Sequence, residues 1–161
     1  MVADLARART LGILAVKLLD HGTPDDFAAV FHPLALNHAG PYVPPDCRAR
    51  GPSAIHATSV WLRASFTALD WVIHRLVADE HGVAVHAAMS GTHSHDLVLY
   101  GADGRPRQTV PASGATFTVL HTYWFRLADG LIIERTVDRG ELGSAPEDPP
   151  VRRGRVRLGA R

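Results

Sequence analysis

Two neighbouring segments near the end of the chain carry side chains that could transfer protons. Strand alternation places His121, Tyr123 and Phe125 on one face of the first segment. In the second segment, one face holds Ile132, Glu134, Thr136 and Asp138. In an apolar pocket, desolvation and nearby charges can bring the pKa of a carboxyl or imidazole toward neutrality. We therefore take Asp138 as the first candidate general acid/base, with His121 and Tyr123 polarising a carbonyl or orienting the base.

These residues also have purely structural explanations. Asp138 would then be a solvated carboxylate at a strand end, paired with Arg135 or Arg139. His121 and Tyr123 would be buried side chains whose polar atoms bond to backbone groups. The sequence leaves both interpretations open.

Other polar and aromatic side chains are candidates for substrate binding. They are Asn37, His38, His74, Phe125 and Trp124. His38 could donate a hydrogen bond to substrate or cap a neighbouring helix. His74 would line a pocket only if its side of the strand faces inward, and Phe125 would form an apolar wall. Trp124, with Trp61 and Trp71, could instead belong to the core or to a dimer surface.

The segment His93-Ser94-His95-Asp96 has two histidines that point the same way on a strand, followed by a carboxylate. A convincing metal site needs a third ligand at a fixed position, and the segment does not supply one. We interpret it as a solvated turn and predict no metal site.

The composition is that of one ordinary globular domain. The 161 residues are 46% hydrophobic and 20% charged, with a net charge of +1, so no bulk field attracts nucleic acid or a membrane. Cys47 is the only cysteine and cannot form an internal disulfide, and the apolar run 11–19 is too short for a bilayer of about 30 Å. We expect a cytoplasmic protein whose partner is a small molecule or a second copy of itself.

Hydrophobic periodicity predicts three helices before the main strands, at about residues 3–21, 24–31 and 51–67. The apolar stripe of the first helix consists of Leu11, Leu14, Leu18 and Leu19. Thr23 followed by Pro24 and two aspartates is a helix start signal. Four prolines between His32 and Arg50 predict an irregular loop there, with Asn37 and His38 inside it.

Branched and aromatic residues then predict antiparallel hairpins. The first joins residues 71–77 to 83–89 through Glu80-His81-Gly82, and the second joins 117–127 to Leu131 through Asp129-Gly130. Helices followed by such strands predict an α+β fold. Residues 144–161 form a tail rich in proline and arginine, which we interpret as mobile and not as a nucleic-acid site.

These segments, in this order, resemble the SnoaL-like polyketide cyclases of the NTF2-like superfamily. The resemblance covers about residues 10–143, and we place the domain at 1–143. It rests on Phe31, Asn37-His38, Gly51-Pro52, Leu76-Val77-Ala78-Asp79, Gly91-Thr92-His93, Gly104-Arg105-Pro106 and the stretch 125–134. Arg135-Thr136 departs from it, because family members typically carry His-Trp there.

The resemblance implies a cone in which N-terminal helices pack on a curved mixed or antiparallel sheet around an apolar pocket. It implies cofactor-free acid/base catalysis, an aldol-type cyclisation or an isomerisation, on a hydrophobic polyketide-like substrate. It also implies a homodimer. A non-catalytic NTF2-like module that binds a ligand or serves in an assembly is the alternative.

Overall fold

The chain forms two helices, one strand, a third helix and then strands. A computed structural model of the protein describes residues 2–139, excepting the side chains of residues 2 and 3. The helices are α1 (Val2–His21), α2 (Pro24–Val30) and α3 (Pro52–Ser65), and a 3₁₀ turn covers Pro45–Arg48. The three predicted helices are confirmed, with ends that differ by one or two residues.

Five strands form the main sheet, in the order β1-β7-β6-β3-β2. They are β1 (Phe31–His38), β2 (Phe66–Ala78), β3 (Gly82–His93), β6 (Thr116–Ala128) and β7 (Leu131–Arg139). A separate pair consists of β4 (Leu97–Tyr100) and β5 (Pro106–Val110). In the main sheet β1 runs parallel to β7 and the other neighbours are antiparallel, so the predicted α+β class is confirmed and the sheet is mixed.

The helices cover one face of the main sheet, which we call the inner face. On α1, Leu11, Leu18 and Leu19 are buried as predicted. Leu14 was also expected inside, but 41% of it is exposed. Ala15 and Val16 are fully buried in its place. Successive residues of a helix are rotated by about 100°, so the buried stripe of α1 includes these two residues and leaves Leu14 at its edge.

The first part of the predicted irregular loop, up to His38, is a strand, whereas residues 39–50 are irregular as predicted apart from the 3₁₀ turn. Pro33 is tolerated because β1 is an edge strand that pairs only with β7. The pairing jumps from Phe31 directly to Leu36, so Pro33 lies in the interruption and no ladder hydrogen bond depends on it. Asn37 and His38 therefore belong to a paired strand, where their side chains alternate between the two faces.

The turn between β6 and β7 forms as predicted, with Asp129 and Gly130 both at positive φ (51° and 73°). Just beyond it lies a bulge that the sequence did not predict. Pairing passes from Leu127↔Ile132 to Arg126↔Glu134, so Ile133 has no partner on β6. This extra residue reverses the alternation, and both Ile132 and Arg135 face inward.

The predicted Pro/Arg-rich tail, residues 144–161, lies outside the described residues, as do residues 140–143 of the predicted domain. Within residues 2–139, no helix is long and apolar enough to span a membrane.

Candidate functional site

A group of polar side chains lies on the inner face of the sheet, beneath the helices. It consists of Asn37, Trp71, His121, Tyr123 and Arg135, and we call it the inner cluster. Only 5% of His121, 2% of Tyr123 and 3% of Arg135 is exposed. Burying polar groups is costly unless they are paired or used, so this group marks the candidate site.

Tyr123 is the centre of the cluster. Trp71 Nε1 donates a hydrogen bond to the Tyr123 hydroxyl oxygen at 2.7 Å, and His121 Nδ1 lies 3.2 Å from the same oxygen. Burial raises the pKa of Tyr123, so its hydroxyl keeps its proton. Since the oxygen accepts from Trp71, the hydroxyl is free to donate to His121 Nδ1. We assign the His121 ring proton to Nε2 on this basis.

The second ring nitrogen of His121 is buried and has no hydrogen-bond partner among the described residues. The His121 pKa is lowered to about 4, first by burial and then by the positive charges of Arg139 and Arg135. The imidazole is therefore neutral at pH 7. It offers an N–H group to the interior and can polarise a carbonyl without carrying a charge itself.

Arg135 places a positive charge in the same interior. Its Nη1 donates to Asn37 Oδ1 at 2.9 Å, and its guanidinium carbon lies 5.6 Å from the centre of the Tyr123 ring. Its Nε is buried without a hydrogen-bond partner in the described part of the chain. Burial is the main reason that the Arg135 pKa is lowered to about 10, so the group stays charged at pH 7.

The structure brings together four of the residues that the sequence singled out: Asn37, His121, Tyr123 and Phe125. The shared face predicted for the last three is confirmed, since all are buried. Phe125 stacks on Tyr123 with ring centres 6.2 Å apart and contacts Phe31 edge to face. These contacts place Phe125 in the hydrophobic core beside Tyr123, and its role as the wall of a substrate pocket stays a prediction.

Asp138 was expected on the same face as His121, and this expectation is wrong. It pairs with Thr122, and its exposed carboxylate accepts a hydrogen bond from Trp124 Nε1 at 2.7 Å on the outer face. The bulge at Ile133 is the physical reason, because alternation counted from the apolar Ile132 gives the wrong face beyond it.

Three other candidates, His38, His74 and Trp124, also lie on the outer face. His38 Nε2 is 2.9 Å from a Glu134 carboxylate oxygen, and its ring is half exposed. Trp124 is 51% exposed. His74 lines an open groove of about 520 Å³ on this face. They lie across the sheet from the inner cluster.

Sequence reasoning missed Arg135 and Trp71 as members of the site. The bulge concealed Arg135, which alternation from Ile132 placed on the opposite face from the site. The available signal was the departure at Arg135-Thr136, where the resemblance expects His-Trp. Trp71 gave no signal beyond its size, because only the structure shows its indole beside Tyr123.

The histidines of residues 93–96 serve local contacts. The His93 ring packs against Phe66 with ring centres 5.3 Å apart, and its Nδ1 lies 3.3 Å from Ser113 Oγ. Asp96 accepts a hydrogen bond from the Ala112 amide, and His95 is exposed. These contacts tie the segment to the neighbouring loop.

Structural comparison finds the same fold in several solved proteins. TsrD from Streptomyces laurentii matches with a TM-score of 0.65 at 20% identity, over 83% of this chain and 88% of that one. A proposed SnoaL-like polyketide cyclase from Jannaschia sp. CCS1 matches at 0.59 and 22% identity, over 81% and 85%. IdmH from Streptomyces antibioticus, also a proposed polyketide cyclase, matches at 0.59 and 17%, over 82% and 91%. At these identities the likeness shows the fold alone.

Sequence comparison gives the family. No curated protein matches the sequence significantly. The profile of the SnoaL-like domain matches residues 15–135, which include β1, β6 and most of the inner cluster's supporting sheet. That match covers well over half of the chain, so the protein belongs to the SnoaL-like domain family.

Proposed function

We propose that this protein is a cofactor-free acid/base enzyme that acts on a hydrophobic, polyketide-like carbonyl compound, as an aldol-type cyclase or an isomerase. The observation that carries the proposal is His121 Nε2, a buried ring nitrogen without a hydrogen-bond partner among the described residues. Family membership supports the class of substrate, since two of the similar structures are named as proposed polyketide cyclases.

In the proposed mechanism, His121 Nε2–H donates to a substrate carbonyl oxygen. When the neighbouring carbon loses a proton to a water molecule, negative charge develops on this oxygen, and a fixed donor in a low-dielectric interior stabilises it. The Arg135 charge favours the same anion. In a cyclisation, the enolate carbon bonds to a second carbonyl carbon as the π electrons of that carbonyl move to its oxygen, and this oxygen takes the proton back from the hydronium ion.

In the other tautomer the same nitrogen can instead take the proton from the carbon in place of water, and Arg135 then stabilises the anion without the histidine donor. If the ring proton is on Nδ1, the Tyr123 oxygen can accept a hydrogen bond from it, and Nε2 then has a free lone pair. Tyr123 would thus hold the ring in either tautomer, while Trp71 fixes the hydroxyl oxygen. The role that the sequence suggested for Asp138 passes to His121 in this proposal, because Asp138 lies on the outer face.

Proton exchange into a 1,3-diketone such as benzoylacetone, followed by NMR in D₂O, tests the proposal. The wild-type protein should accelerate exchange at the carbon between the carbonyls. His121→Leu removes the donor and should slow the catalysed exchange by about 10²- to 10³-fold, while His121→Gln keeps a donor and should retain part of it. Asp138→Asn is the matched control and should exchange at the wild-type rate.

Two outcomes would count against this assignment. If Asp138→Asn abolished exchange and His121→Leu did not, the catalytic residue would be Asp138 on the outer face. Tight binding of the diketone without any acceleration would favour the alternative, a non-catalytic ligand-binding module.

We further propose that the outer face pairs with a second copy of the chain in the cytoplasm. Four large apolar side chains are exposed there: Val72, Val77, Leu120 and Trp124. Several large apolar side chains exposed on one sheet face are typical of a protein contact surface. The lone buried Cys47 fits a reducing compartment.

A further inference from the structure

Arg135 carries a charge in the interior that the described residues do not neutralise. Nearly all of its surface is buried, and within residues 2–139 it makes one hydrogen bond, to Asn37, and no ion pair. A buried cation ordinarily has a carboxylate partner, because removing the charge from water costs several kcal/mol. Neutral Asn37 does not replace that partner.

The groups that surround Arg135 leave the interior with a net positive charge. Those that influence its pKa are Tyr123, Arg139 and Cys47. Burial raises the pKa of both Tyr123 and Cys47, so neither is an anion at pH 7. Arg139, an exposed residue at the end of β7, adds a second guanidinium nearby, which donates to the Ala39 carbonyl.

A purely structural role does not account for Arg135. Asn37 already ties β1 to the adjoining turn and to α3, since the two hydrogens of its Nδ2 are shared among the carbonyls of Cys47 and Ala54 and Thr58 Oγ1. Arg135 uses only Asn37 Oδ1, and its buried Nε remains unused by the described residues. A methionine of similar length would fill the space without the cost of a buried charge.

We propose that the inner cluster binds a ligand through a carboxylate that lies against the Nε edge of Arg135. A guanidinium edge presents two N–H groups in a fork that matches the two oxygens of a carboxylate. Nη1 is held by Asn37, so the Nε edge is the side left for a ligand.

This inference deepens the proposed function and rests on it, since it concerns the same inner cluster and names the substrate class as a free carboxylic acid. Arg135 lies 5.6 Å from the centre of the Tyr123 ring, and the His121 ring centre lies 5.9 Å from it. Arg135 and His121 thus both lie beside the Tyr123 ring, so a single ligand that carries a carboxylate and a carbonyl group is the kind of compound that would use both. Esters and amides of the same compound would lose the charge and bind more weakly.

Calorimetric titration with three acid/amide pairs tests the inference: acetate and acetamide, benzoate and benzamide, 2-naphthoate and 2-naphthamide. At least one acid should bind the wild-type protein about tenfold or more tightly than its amide. Arg135→Gln should abolish the preference, and Arg135→Lys should keep part of it. Arg126→Gln, on the exposed outer face, is the control and should keep all of it.

Equal binding of acid and amide to the wild-type protein, or no binding of any acid, overturns the inference even if no Arg135 variant folds. So does an acid preference that survives Arg135→Gln. His121→Leu separates this inference from the proposed function, because it should stop proton exchange and leave the acid preference intact. A loss of preference in His121→Leu with Arg135→Gln unaffected would assign the anion site to His121 and overturn the role of Arg135.

Discussion

The burial of His121 lowers its pKa, and this makes the stability of the folded protein depend on pH. Its pKa falls from 6.5 to about 4 because the folded protein disfavours the charged ring, chiefly through burial. Between these two values the unfolded chain binds more protons than the folded one. Folding stability therefore declines as pH falls from about 6.5 to about 4, and it is fully present only above that window.

The expected loss across this window is about 3 kcal/mol, from a shift of roughly two and a half pKa units. Urea unfolding of the wild-type protein and of His121→Leu at several pH values from 4.5 to 7 measures it. The variant lacks the titrating ring, so its stability should depend less on pH, and carboxylate effects shared by both proteins cancel in the comparison. Parallel pH profiles would show that the His121 ring titrates alike in the folded and unfolded states.

For single residues, the sequence predicted the correct face of the sheet only where simple strand alternation decides it. His121, Tyr123 and Phe125 lie on one uninterrupted strand, so counting by two gave the correct face for all three. The same count failed on β7, since one unpaired residue shifts everything after it to the other face. Bulges depend on how two strands meet, which the sequence of one strand does not encode.

At the scale of elements, Asn37 connects four parts of the fold. Its side chain bonds to the 3₁₀ turn, to α3 and to β7 from its own position on β1. Asn37→Ala would remove the side-chain partner of the Cys47 carbonyl and of the Arg135 guanidinium, so we expect a destabilisation of about 2–4 kcal/mol. Urea unfolding with His38→Ala as the neighbouring control measures the effect.

His38→Ala removes an exposed side chain from the other face of the same strand and should cost far less. If both variants lose similar stability, the effect belongs to β1 as a strand and not to the hydrogen bonds of Asn37. An intact Asn37→Ala fold with weakened acid binding would further show that Asn37 positions Arg135.

Element prediction succeeded where local chemistry decides the outcome. At the start of α2, Thr23 Oγ1 accepts from the Asp26 amide and the Asp26 carboxylate accepts from the Thr23 amide, a capping box that residue types alone indicate. It failed for β1, where Pro33 argued for a loop. A parallel partner almost 100 residues away makes that segment a strand, and no local pattern reports such a partner.

For the whole molecule, the two faces of the sheet differ in chemistry. The inner face holds the buried cluster, whereas the outer face exposes 54% of Val72, 72% of Val77, 48% of Leu120 and 51% of Trp124. Register places Leu120 in one row with Val72, through Ala88, and Trp124 in one row with Val77, through Ala84. The row of Thr122, His86 and Arg75 lies between them, so the outer face offers two apolar rows on either side of a polar one, which a copy of the chain can match about a two-fold axis.

Sedimentation equilibrium should therefore give the mass of a dimer for the wild-type protein at micromolar concentration. Val77→Asp places a charge at the most exposed of the four apolar side chains, where a partner copy would remove it from water, and it should weaken dimerisation by about a hundredfold or more. Ile13→Asp is the matched control, because Ile13 is an equally apolar and 42% exposed residue on α1, away from the outer face. A wild-type monomer, or equal dissociation of both variants, would show that the dimer does not use this surface.

If Val77→Asp is a monomer and still exchanges protons at the wild-type rate, each copy holds a complete site, as expected for an inner cluster that lies within a single chain.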